Sequence, residues 1–117
     1  MKVRPRTQKF QENLWSGLVS RPVEYMVLGV GTAAGRVWVM ISPAGDDIHE
    51  YPLSQFEIVD AAVSPNWQVF ARDDADVAIT FPELDHPYLV QDLADSKGYA
   101  LDAMYEVFHR EGIQDLD

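Results

Sequence analysis

Gly29-Val30-Gly31-Thr32-Ala33-Ala34 is the stretch of this 117-residue chain nearest to a known binding chemistry. It satisfies a relaxed G-x-G-x-x-A pattern, in which glycines let the backbone approach a pyrophosphate and a following helix N-terminus receives the charge. That mechanism demands a helix next. The chain instead continues into Arg36-Val37-Trp38-Val39-Met40-Ile41, a run of strand formers, so the stretch reads as a hairpin turn rather than a nucleotide loop.

The other candidate groups are mostly carboxylates. Asp73-Asp74-Ala75-Asp76 places three of them in one turn, which could hold a hard cation through oxygen ligands. Position 78 is Ala where a calcium loop needs its sharp-turn Gly, and no acid stands at the closing offset, so the run reads as a solvated hairpin tip. The histidines, His49, His86 and His109, stand singly. Glu106-x-x-His109 has the spacing of one half of a di-metal bundle motif, but such sites need two copies and further glutamates. The chain has no cysteine, no G-x-S-x-G and no Ser-x-x-Lys, so the common acyl-transfer layouts have no support. The sequence therefore leads us to expect no catalytic residues, no cofactor and no metal.

The charge is unevenly distributed. Residues 1–36 carry six Lys/Arg against two acids, whereas residues 37–117 carry three against seventeen, for a net charge of −10. A field of that sign repels nucleic acid phosphate and anionic lipid over a Debye length, ~8 Å at physiological salt, and attracts cationic surfaces. With three Trp, five Tyr and five Phe, the chain also has aromatic anchors to offer. Trp38 alternates with Val37 and Val39 and so points to the other face of its strand. The expected function is a small acidic binding module that docks a basic protein partner, with no nucleic acid and no membrane. Its docking residues are Trp38, Asp46, Asp47, Glu50, Glu57, Asp60, Asp73, Asp74, Asp76, Glu83 and Asp85. In size and composition alone the chain is similar to immunity proteins that neutralise basic toxins. The alternatives are a small carboxylate-based hydrolase or metal-assisted enzyme, and a structural subunit of a larger assembly. The absence of cysteine favours a reducing compartment, so a cytoplasmic location is expected.

The elements that must position these groups come as strands first and helices last. Residues 1–9 look like a flexible basic arm, and Phe10, Leu14 and Leu18 recur at helical spacing after Thr7 as a cap. Residues 23–30 and 36–42 form a hairpin around the 32–35 turn, and residues 48–53 return as a third strand until Pro52 ends its ladder. Residues 56–59 are ambiguous between strand and helical turn, and residues 67–81 make a second hairpin. Asp85 then caps a helix that stops at Ser96-Lys97-Gly98. A final helix presents Leu101, Met104, Tyr105 and Phe108 to the core and ends at Gly112. Strands followed by helices argue for one α+β domain: an antiparallel sheet of four or five strands with C-terminal helices packed on one face.

Overall fold

A computed structural model describes residues 1–6, 23–43, 45, 47–86 and 88–113, except for the side chain of Asp74. The described residues form eight strands: β1 (Lys2–Pro5), β2 (Tyr25–Met26), β3 (Gly29–Ala33), β4 (Arg36–Ile41), β5 (His49–Pro52), β6 (Phe56–Asp60), β7 (Gln68–Ala71) and β8 (Val77–Thr80). Two helices come after them, α1 (Leu89–Ala94) and α2 (Gly98–Glu111). The strands make two antiparallel sheets, one in the order β2-β1-β6 and one in the order β5-β4-β3-β8-β7. The class is α+β as expected, with eight strands in two sheets in place of four or five in one.

The period of two in β4 explains the layering. Val39 and Ile41 point to one side, where they meet Val3, Tyr25 and Phe56 of the smaller sheet. Met40 points to the other side and packs on Leu28, Phe81 and the buried residues of the helices. The five-stranded sheet is therefore a middle layer, with the three-stranded sheet on one face and the helices on the other.

The β3–β4 hairpin closes through Ala34 and Gly35, both at positive φ (52° and 75°). A two-residue turn with two left-handed residues matches the right-handed twist of the flanking strands, which is why Gly35 belongs there. Gly29 and Gly31 lie inside β3, and no helix starts near them. The expected strand over residues 23–30 is divided: β2 pairs with β1, β3 pairs with β4, and Val27 and Leu28 between them enter different core clusters. An unbroken apolar run cannot show in sequence where the chain changes sheet.

Three further expectations are corrected. Lys2–Pro5, expected in a flexible arm, form the central strand of the smaller sheet, with Val3 and Pro5 buried and Lys2 and Arg4 exposed. The basic residues occupy only the solvent side of that alternation. Residues 7–9 lie outside the described residues, as does the expected helix through Phe10, Leu14 and Leu18. Asp85 does not cap α1; a 3-10 turn over Pro82–Leu84 precedes it, and Tyr88 holds the cap position. In α2 the buried residues are Ala100, Met104, Val107 and Phe108, while Leu101 is half-buried and Tyr105 is 45% exposed. The buried stripe is thus rotated from the expected one: Ala100 and Val107 join Met104 and Phe108 in the cluster with Leu84, Leu89 and Leu93, and Tyr105 turns outward. Gly112 ends α2 at φ 69°, and the N–H of Ile113 donates to Phe108 O. None of the helices formed by described residues is long and apolar enough to cross a membrane.

Candidate functional site

On the helix side of the five-stranded sheet, where α1 stands away from the strands, lies a cleft of about 790 Å³. Its floor is a consequence of residue size. Gly31 sits between Trp38 and Ala78 across the sheet, and Gly29 sits between Met40 and Thr80, so the middle of the sheet presents almost bare backbone. Trp38, Met40 and Glu50 line one side, and Leu89, Val90 and Gln91 of α1 line the other. Asp73, Asp76 and Asp95 also line it, as do His86 and Tyr88. A cavity of this size with apolar walls and a few polar groups is the usual form of a binding site.

The two glycines do different work. A Cβ at Gly29 would stand 2.7 Å from both Cβ and Oγ1 of Thr80, whose buried hydroxyl donates to Leu28 O at 2.7 Å. Close packing of β3 on β8 therefore requires Gly29. A Cβ at Gly31 would meet nothing nearer than Val77 O at 3.5 Å, and its φ is not positive. Neither packing nor backbone conformation requires Gly31; its effect is to leave the cleft floor open.

The structure divides the expected docking residues. Trp38, Glu50, Asp73 and Asp76 line the cleft together. Glu50 and Asp73 have no ion pair among the described residues, and Asp76 accepts a bond from Thr32 Oγ1 at 3.1 Å. The others lie elsewhere, mostly with internal partners. Glu57 pairs with Arg4 on the smaller sheet, and Asp60 on the same strand accepts the Ala62 N–H at 2.9 Å. Asp47 bonds His49 at 2.8 Å, Asp85 pairs with Arg72, a cation that itself lines the cleft, and Glu83 pairs with Arg110 at 2.9 Å. Asp46 lies outside the described residues, as does the side chain of Asp74.

Among the described residues, Arg110 anchors the most connected group of charges. It bonds Glu83 and, at 3.0 Å, Glu111, and it lies 5.7 Å from the Phe81 ring centre. Glu111 also accepts from Ser64 Oγ at 3.1 Å and from Asn66 Nδ2 at 2.8 Å. The Arg110 hydrogen bond holds the Glu83 carboxyl below the usual carboxylate range. For Glu111, burial acts upward, but the bonds from Arg110, Asn66 and Ser64 outweigh it and lower its pKa. Deeper in the molecule, burial and then the nearby Asp47 and Tyr25 push the Tyr51 phenol up to about 12.

Sequence reasoning missed the glycine floor and the α1 side of the cleft. His86, read as a lone histidine, has Tyr99 Oη 3.2 Å from its Nδ1, and Tyr99 also donates to Asp92. Among the described residues no three His, Asp or Glu side chains gather as a metal-holding group. No family model matches the chain, and no curated protein or solved structure matches it.

Proposed function

We propose that this protein is a binding module that docks a basic protein partner at the cleft, in the manner of an inhibitor or immunity protein. One observation carries the reading: carboxylates with internal cations lie mostly around the rest of the fold, whereas Glu50 and Asp73, which have none among the described residues, line the concavity with Asp76. Carboxylates along a cleft with low-dielectric walls focus a negative potential there. Such a field accelerates and orients the encounter with a cationic surface, while contact with Trp38, Met40 and Leu89 supplies holding energy. A cytoplasmic location belongs to the same proposal, because the fold uses no disulfide.

The test is a titration of the full chain, followed by heteronuclear NMR, with an amide-capped nonapeptide of alternating arginine and alanine. Shifts concentrated at Gly31, Glu50 and Asp76, and weakened by added salt, are expected. Equal shifts around Glu57 and Asp60, or none anywhere, would reduce the acidity to a solubility device.

A further inference from the structure

The floor and the acidic ends of the cleft together restrict the shape of what it can hold. Glu50 lies in one row across the sheet with Met40, Gly29 and Thr80. Three strand spacings separate β5 from β8, which is roughly 14 Å. Asp76 stands four residues before Thr80 along the strand direction, which adds roughly 13 Å at right angles. Glu50 and Asp76 therefore mark the two ends of a diagonal of roughly 20 Å across the sheet, with Gly31 and Ala78 along its floor. Asp73 lies beside Asp76, whose N–H donates to Asp73 O, and strengthens that end.

A single cation cannot serve both ends. An extended peptide rises about 3.3 Å per residue, so two side chains six positions apart are separated by roughly 20 Å and project from the same side of the chain. Bare backbone at Gly31 lets such a segment lie flat, where a side chain would lift it away. We infer that the cleft receives an extended segment carrying two cationic side chains about six residues apart, and that Gly31 determines whether it can seat. This inference rests on the basic-partner reading and adds the spacing and shape of the partner's segment.

Two amide-capped, serine- and alanine-based nonapeptides of equal charge decide it, one with arginines six positions apart and one with arginines two apart. The six-spaced peptide should bind about fivefold tighter, the size expected of one exposed ion pair. Glu50→Gln should erase the difference. Gly31→Val should weaken both peptides about tenfold by filling the floor, while Gly31→Ala and circular dichroism check that the fold is kept. Equal binding of the two peptides, or a preference that survives Glu50→Gln, overturns the spacing and leaves the basic-partner reading standing. Gly31→Val without effect removes the floor from the site. Binding of neither peptide overturns both readings.

Discussion

Glu83 and Glu111 at one end of α2, and Glu50 and Asp73 at the cleft, are the same chemical groups put to different use. The first pair is held by Arg110, and Glu111 by Ser64 and Asn66 as well, so their charge is spent on joining α2 to the loops beneath it. The second pair meets no internal cation among the described residues and faces open space. Acidity in this protein thus has an internal and an outward part. A net charge of −10 says nothing about which carboxylate belongs to which. Position decides it, because an exposed charge contributes little to stability and keeps its reach into solvent, whereas a paired one is largely cancelled at a distance.

The largest break in the comparison should come from the core that supports the internal part. Phe108 is 3% exposed and packs with Met104, Phe81 and Leu84, so Phe108→Ala should cost about 3–5 kcal/mol in chemical denaturation. Because α2 carries Arg110 and Glu111 two and three residues further on, the same variant should disturb the ionic network before it alters the cleft floor on β3. A loss well under 1 kcal/mol would contradict the burial of this side chain.

The two glycines of β3 come next. Gly29→Ala drives a methyl into Thr80 and should cost roughly 1–3 kcal/mol. Gly31→Ala meets only ordinary contacts and should be neutral or stabilising by about 0.5–1 kcal/mol, because a glycine in a strand loses more freedom on folding. Unfolding midpoints measured side by side would separate a glycine kept for packing from one kept for space. Similar losses at both positions would reject the distinction.

Acid sharpens the contrast further. Glu83 and Glu111 have folded-state pKa values below their unfolded ones, so their contribution is fully present above the unfolded carboxylate pKa, about 4.3. It is lost as pH falls through the lowered folded values. Denaturant midpoints should therefore fall on acidification below that point, and Arg110→Gln should flatten the fall by returning both carboxylates toward their ordinary range. An unchanged slope would show that the Arg110 network contributes nothing to acid stability.

The smallest effect on the fold belongs to the cleft. Glu50→Gln, Asp73→Asn and Asp76→Asn combined should change stability by no more than ~0.5 kcal/mol, since Asn keeps the oxygen that accepts from Thr32. The same triple variant should slow association with the arginine–alanine peptide and flatten its salt dependence. A destabilised triple variant would mean that these carboxylates belong to the internal part after all.

Much of the architecture was legible from residue pattern. The β3–β4 hairpin, the strand ending at Pro52, the hairpin before Phe81, and α2 with its Gly112 cap all depend on local chemistry: turn residues, alternation and helical spacing. The same locality misleads where a neighbour decides. Lys2–Pro5 reads as a basic arm until Tyr25–Met26 and Phe56–Asp60 close on both sides of it, and Tyr105 reads as core until Val107 takes the buried position.

Sequence alone determined the class of fold, the sign of the charge and the failure of the glycine motif as a nucleotide loop, because a strand-forming run after Gly31 rules out the helix that such a loop needs. Of the nine expected docking residues whose side chains are described, Trp38, Glu50, Asp73 and Asp76 came to line the cleft together, and only tertiary structure chose those four. Pairing partners such as Arg4 with Glu57 and Arg110 with Glu83 lie 53 and 27 residues apart along the chain. No pattern of spacing encodes such a partner. The cleft itself is a gap between a helix and the bare middle of a sheet, and a gap exists only once the surfaces around it have been folded into place.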